Sequence, residues 1–309
     1  MDNTYFKSSI VNSYPELAPS ILRAPFDSKS LCVEITQQKC ERGYDYLANR
    51  FGDFVLCEKG RLAIDLALSM IGLNEDDTVT ILTTSGNYYV SSCVTKTVEK
   101  HCRWSRSFEN NTKAIVVVHE FGYIYNDLDS LRKIGLPIIE DCASAFFSTK
   151  NNVGRNGDFA VYSFPKAMPM RMGGALVVNN HKYDSSVHVL GTVEEQYIMS
   201  CLGEQISSIP EIIEKRLANY HFFEKALSEI KITPFFPLFE GVVPEVFLFR
   251  WKDNIDYPRL KEFMQYNGVE SSAFYGQPGF FIPVHHNLTL TEKKYIINLI
   301  SFFCENNNL

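Results

Sequence analysis

Residues 112–148 read TKAIVVVHEFGYIYNDLDSLRKIGLPIIEDCASAFFS. Ala114 to Val118 is an unbroken apolar run rich in β-branched residues, the pattern of a strand buried on both faces. Asp127 to Lys133 reads as a helix that Gly135 and Pro137 end, and Pro137 to Ile139 opens a second buried strand running into Glu140 and Asp141. A strand, a helix and a strand in this rhythm predict a parallel pair. Outward from this segment the pattern repeats. Gly60 to Ile71, GRLAIDLALSMI, predicts a helix opened by a glycine, with Leu62, Leu66, Ala67 and Met70 on one face. Thr78 to Leu82, Phe159 to Phe164 and Ala175 to Val178 predict further strands. The reading is α/β: a large domain with a mostly parallel sheet flanked by helices. From Ile209 the character changes to a long helix (IPEIIEKRLANYHFFEKALSEI), strand candidates at Val246 to Trp251 and a last helix from Thr291 to Phe303. We expect a cofactor-binding domain over residues 1–208 and a smaller C-terminal α+β domain over 209–309.

The 309 residues are 45% hydrophobic and 21% charged, ordinary values for a globular chain, so disorder is excluded as an organising principle. A net charge of −6 exerts no long-range pull on nucleic acid or an anionic membrane, which disfavours a dedicated binder of either. The first 30 residues lack the apolar core of a secretory leader. No stretch approaches the roughly 18 apolar residues of a spanning helix. The eight cysteines are scattered without a C-x-x-C pair, which predicts reduced structural thiols. A cytoplasmic protein is expected, with small molecules as partners and neither nucleic acid nor membrane among them.

In parallel sheets ligands gather beyond the carboxyl ends of the strands, where Tyr88, His119, Asp141 and Lys166 would emerge. An aspartate closing one buried strand and a lysine just after another can converge on one cofactor. Pyridoxal phosphate needs this pair: the amine meets its aldehyde, and the carboxylate keeps its pyridine nitrogen protonated. Lys166 stands in an apolar setting of Phe164, Pro165, Met168 and Met170. An Asp and a Lys on loops are more often solvated or ion-paired, and spacing alone does not separate the two readings. His119 and His285 each end an apolar strand, where a hydrogen-bonded structural role is the commoner one. Adjacent His285 and His286 lack a third ligand at metal spacing, so no metal is expected.

Five blocks carry a resemblance: NTKAIVVVHEFGYIYNDLDSLRKIGLPIIEDCASAFFS, VGRNGDFAVYSFPK, GGALVVNN, GRLAIDLAL and FIPVHHNLTLTEKKYIINLI. Taken in chain order, in which GRLAIDLAL comes first, they are similar to the DegT/StrS family of pyridoxal-phosphate-dependent sugar aminotransferases, whose segments include an SGTAALxLAL helix, TKAIxPVHLYG, xGLPVIEDAAQA, VGxxGDxxxFSF, a lysine before a GG turn, and LPLHPxLTxEE. The resemblance runs from about residue 50 to 305. It implies a fold-type-I architecture, the cofactor pyridoxal 5′-phosphate, a homodimer with active sites shared across the interface, and transfer of an amino group, from glutamate, to a nucleotide-linked keto-sugar in amino-sugar or surface-polysaccharide biosynthesis. Residue by residue, it places Asp141 on the pyridine nitrogen and Lys166 on the cofactor aldehyde. The latter needs a two-residue deletion, since only Phe164 and Pro165 separate Ser163 from Lys166. Ser163 falls on the serine that meets the phosphate, and Tyr88 (or adjacent Tyr89) on the aromatic that stacks on the ring.

The departures are as informative. The family's Ser-Gly-Thr cradle is Lys59-Gly60-Arg61, leaving the Gly60 helix start and the Arg61 guanidinium to meet the phosphate. A solvent-pointing Arg61 is the alternative. Ser144 replaces a Gln or His near the cofactor's 3′ oxygen, and Ala167 to Met172 replaces a glycine-rich stretch. Of the family's cross-subunit loop only Tyr197, Met199 and Ser200 remain similar, with its asparagine near Gln196. These losses motivate two rival expectations: a catalytically degenerate member that binds or assembles, and a sugar dehydratase. The dehydratases generally carry histidine at the lysine position, so Lys166 argues against the latter.

Overall fold

Apolar residues that alternate along a strand while both faces stay buried require cover on both sides, and the structure supplies it. The computed structural model describes residues 21–25, 33–251 and 255–306. The leader reading of the first 30 residues falls largely outside the described residues, as does Cys32. Of the described residues, 33–210 and 239–243 form one compact unit, while 21–25, 211–238 and 244 onward form another.

The first unit runs α1 (Gln37–Phe51), β1 (Phe54–Cys57), α2 (Gly60–Ile71), β2 (Thr78–Thr83), α3 (Ser92–Val98), β3 (Arg103–Ser105), β4 (Thr112–Val118), α4 (Leu128–Arg132), β5 (Ile138–Asp141), β6 (Phe159–Ser163), β7 (Gly174–Val178) and α5 (Thr192–Gln205). Its seven-stranded sheet has the order β1-β7-β6-β5-β4-β2-β3. Strands β3, β2, β4, β5 and β6 are mutually parallel, and β7 pairs antiparallel with both β6 and β1. Val79, Ile81, Val116 and Ile139 turn to the face covered by α2 and α3, while Ile115, Val117 and Ile138 turn to α4 with Leu128 and Leu131. This is the α/β sheet that the β-branched runs predict.

Helix α2 has the predicted span but another buried face. Ala63, Ile64, Ala67 and Leu68 are buried, whereas Leu62 is exposed. Leu66 and Met70 pack only partly against the core. The stripe at positions 60, 63, 64, 67 and 68 follows the i, i+3, i+4 spacing and faces the sheet, so Leu62, Leu66 and Met70 fall beside it. Helices α1 and α5 cross through two glycines: a Cβ on Gly43 would lie 2.3 Å from Met199 O, and one on Gly203 would lie 2.0 Å from Lys39 O.

The second unit contains α6 (Ile209–Ser228, entered from the first), β8 (Ile232–Pro234), β9 (Val246–Trp251), α7 (Tyr257–Tyr266), β10 (Ser272–Ala273), β11 (Phe280–Pro283) and α8 (Leu290–Asn306). Its antiparallel sheet has the order β10-β11-β9-β8. Phe247, Phe249 and Phe280 pack with Tyr220 and Phe223 from α6 and with Leu299 and Phe303 from α8. Ile21 bridges to Val269 and so joins this unit. No helix among the described residues is long and apolar enough to cross a membrane.

Candidate active site

Register places the carboxyl ends of the parallel strands in one row. Thr83 pairs with Val118, Val118 with Asp141, and Asp141 with Val161. Asp141 is the last residue of β5 and is buried, 7% exposed. Its Oδ1 accepts the Ala143 N–H at 3.0 Å, tightening the turn that presents Ser144. Beyond β6 the chain enters a 3₁₀ turn, Phe164–Lys166, in which Pro165 stands at a position where a missing N–H costs nothing. That turn brings the half-buried Lys166 back across to β5, and its Nζ donates to Ser144 Oγ at 3.1 Å. The amine and the carboxylate thus belong to one corner of the sheet.

The start of α2 borders the same corner. A Cβ on Gly60 would sit 3.2 Å from Ser163 Cβ, and one on Gly174 would sit 2.6 Å from Tyr162 O and 3.0 Å from Gly60 N. Glycine at both positions is what lets the helix start meet the ends of β6 and β7. Gly173 N–H donates to Glu58 O at 2.7 Å and Phe164 N–H to Gly173 O at 3.0 Å, knitting these segments together. Lys59 supplies no side-chain cap, so the first turn of α2 offers its amides and its partial positive charge to an anion. The Arg61 side chain is exposed, with one guanidinium nitrogen 3.6 Å from Cys93 Sγ, and Lys59 Nζ pairs with Glu58 at 2.7 Å. Tyr88 and Tyr89 project from the loop after β2, 76% and 50% exposed.

These residues fit pyridoxal phosphate: an uncapped helix start beside the Ser163 hydroxyl, an amine anchored within reach of the β5 turn, and a buried carboxylate at the strand end.

The neighbouring Glu140 has a role that the sequence reading missed. Its fully buried carboxylate accepts the N–H groups of Gly154 (3.0 Å), Asn156 (2.7 Å) and Gly157 (2.7 Å), and is 3.1 Å from His119 Nε2. His119 Nδ1 accepts the Tyr125 N–H at 3.1 Å, so the ring proton sits on Nε2 and is donated to Glu140. Burial pushes the Glu140 carboxyl up, but the His119 hydrogen bond and the glycine amides outweigh it and hold it below the usual glutamate range. Asp158 completes the turn by accepting the Ile138 N–H at 2.8 Å. The VGRNGD segment is therefore a turn wrapped around Glu140, and the signal was the Glu beside Asp141 together with two glycines 14 and 17 residues on.

His119, Glu140 and Cys142 have ligand atoms within 4.8 Å of one another. Both Glu140 oxygens already accept two hydrogen bonds, and burial, then the Glu140 and Asp141 charges, keeps the Cys142 thiol protonated far above its ordinary range. His285 Nε2 donates to Leu22 O at 2.9 Å inside the second unit. Tyr197 lies on α5, where its hydroxyl accepts the Arg171 N–H at 3.2 Å, and Ser200 contacts Cys40 Sγ at 3.2 Å, while Gln196 is exposed. Cys40, Cys57, Cys93, Cys102, Cys142, Cys201 and Cys304 are free thiols.

Residues 103–298 match the model of the DegT/DnrJ/EryC1/StrS aminotransferase family. GDP-perosamine synthase of Escherichia coli O157:H7 is 30% identical over 168 residues, 47% of this chain and 46% of the relative, so the chain spans less than half the length of that curated relative. An aminotransferase from Streptoalloteichus hindustanus superimposes with a TM-score of 0.73 at 15% identity, covering 89% of this chain and 92% of that one. Spr1654 of Streptococcus pneumoniae in its PLP-form gives 0.69 at 16% identity, covering 89% and 93%. At such identities the superpositions speak for the fold.

Proposed function

The chain belongs to the DegT/DnrJ/EryC1/StrS aminotransferase family, and from that premise we propose that it is a pyridoxal-phosphate-dependent aminotransferase that moves an amino group from glutamate to a nucleotide-linked keto-sugar. The observation that carries the reading is the hydrogen bond from Lys166 Nζ to Ser144 Oγ, which draws the amine to the turn that Asp141 begins. A GDP-linked product in the name of the Escherichia coli relative supports the nucleotide-sugar class. The homodimer and the cytoplasmic setting belong to the same proposal and rest on the family resemblance.

When bound, pyridoxal phosphate supplies an electron sink that makes the Cα–H of an amino acid acidic. The α2 start, with Gly60 and Arg61, and the Ser163 hydroxyl would hold the phosphate. Asp141 would keep the proton on the pyridine nitrogen, its buried position strengthening that charge-assisted bond. Tyr88 would cover one face of the ring. Lys166 would hold the aldehyde end, and its Nζ would move the proton at the substrate Cα.

The test is spectroscopic. Purified protein mixed with pyridoxal phosphate is expected to develop a visible band that L-glutamate bleaches, and Lys166→Ala is expected to abolish the band. A colourless wild type overturns the proposal. The replaced cradle, with Arg61 turned toward Cys93 and Lys59 toward Glu58, favours one second reading: a scaffold that has lost catalysis. A stable band that L-glutamate leaves unchanged is the result expected of it.

A further inference from the structure

Arg106 is the residue after β3, at the edge of the sheet, yet its guanidinium is directed inward over the end of β2. It donates to Ile81 O, to Thr83 Oγ1 at 3.0 Å and to Asn87 O at 2.6 Å, three acceptors spread over the strand end and the loop beyond it. From the opposite side Glu120, in the turn after β4, accepts the Ser85 N–H at 2.7 Å. Between these anchors the loop ties itself together. Gly86 adopts a left-handed φ of 69°, Asn87 N–H donates to Ser85 Oγ at 3.0 Å, and Tyr89 N–H donates to the side chain of the buried Asn87 at 3.2 Å. The segment that carries two exposed rings therefore has a hydrogen-bonded base anchored on the buried Thr83 and Asn87.

Two facts argue that the anchors serve the rings and not the core. A half-buried guanidinium and a carboxylate that is 8% exposed are costly to desolvate, and apolar residues of similar volume would stabilise the edge as well. Burial depresses the Arg106 pKa and raises that of Glu120, which is the cost in question, and each charge partly relieves the other. The loop, moreover, ends in no core contact for Tyr88, which remains 76% exposed. A rigid base under a solvent-facing aromatic is preorganisation for a flat ligand.

We propose that Arg106, assisted by Glu120, is a positioning residue that fixes the loop of residues 84–89 so that the Tyr88 ring is set to stack on the bound cofactor. This rests on the proposed function through Tyr88. Lysine cannot replace the guanidinium fork, since one ammonium reaches one or two of three divergent acceptors.

The test uses Arg106→Met, Arg106→Lys and Tyr88→Ala, singly and with Arg106→Met combined with Tyr88→Ala. In cofactor-free protein, amide exchange over residues 84–90 is expected to rise about tenfold or more in Arg106→Met, less in Arg106→Lys, and to stay unchanged in the rest of the sheet. Pyridoxal phosphate affinity, read from the visible absorbance and circular dichroism, is expected to weaken about tenfold in Arg106→Met. In the Tyr88→Ala background the same substitution is expected to weaken it no further, because Arg106 acts through that ring. Unchanged exchange in the loop overturns the clamp. Equal weakening in both backgrounds overturns action through Tyr88. A wild type that takes up no cofactor but shows the exchange difference overturns the functional reading and the stacking role, and leaves the two failures distinguishable.

Discussion

Lys166 Nζ lies 3.1 Å from Ser144 Oγ, so a lysine three residues past β6 is bonded to a serine three residues past β5. Adjacent parallel strands whose extensions curl toward each other make a corner, and Asp141 is the buried residue at its base.

Replacing the residues of that corner separates their roles. Lys166→Ala is expected to lose the visible band. Asp141→Asn is expected to keep it and to slow the L-glutamate half-reaction by roughly 10²-fold or more, because the ring nitrogen loses its ionic partner. Ser144→Ala is expected to slow it by up to about tenfold, the worth of one hydrogen bond. Stopped-flow absorbance measures all three. An Asp141→Asn rate equal to wild type removes the aspartate from the mechanism.

Glu140 is predicted to matter for folding more than for chemistry. Glu140→Ala strips acceptors from three amides, two of them buried, and from His119 and is expected to cost about 3–5 kcal/mol in urea denaturation. The carboxyl titrates below its unfolded value, so its stabilisation is full above about pH 4.3 and is lost as the pH falls through the lower, folded value. Glu140→Gln is expected to flatten that part of the acid limb.

The sheet was legible where strands are continuous and β-branched, as at Ala114 to Val118. Helix α1 was not, because QQKCERGYDYLANRF buries only Gly43, Leu47 and Phe51, one residue per turn. In α5 residues 198–203 are all buried, which leaves no period to read. At the site, Asp141 and Lys166 stood out because each closes or follows an apolar run. Arg106 left no trace, since two of its acceptors are main-chain carbonyls, which no side-chain pattern encodes. Glu140 was masked by standing next to Asp141, where it passes for a second acid of the same site.

The α1–α5 crossing predicts a steep size dependence. Gly203→Ala drives a methyl group to 2.0 Å from the Lys39 carbonyl oxygen, and Gly43→Ala one to 2.3 Å from that of Met199. Main chain cannot swing aside as a side chain tip can. Each substitution is expected to cost at least about 1–3 kcal/mol, and thermal denaturation reads it directly. Gly52→Ala, where no atom lies within 4 Å, is expected to cost only the strain of its left-handed φ of 69°.

The second unit carries its own acid sensitivity. Burial, then the nearby Arg216 charge, holds the His285 pKa down to about 4 and that of His286 to about 3. Both rings are therefore neutral in the fold where the unfolded chain, with histidines near 6.5, takes up protons. Between pH 6.5 and about 4 the unfolded state binds more protons, so stability falls as the pH drops, by at most about 1.4 kcal/mol per pH unit for each histidine. The chain has two tryptophans, Trp104 on β3 and Trp251 on β9, so Trp104→Phe leaves a fluorophore that reports on the second unit alone. Urea midpoints of that variant are expected to fall steadily from pH 6.5 to 4.5. Adding His285→Gln, whose amide can still donate to the Leu22 carbonyl, is expected to remove a measurable part of the slope. A slope identical with and without His285 would assign the acid lability to other groups.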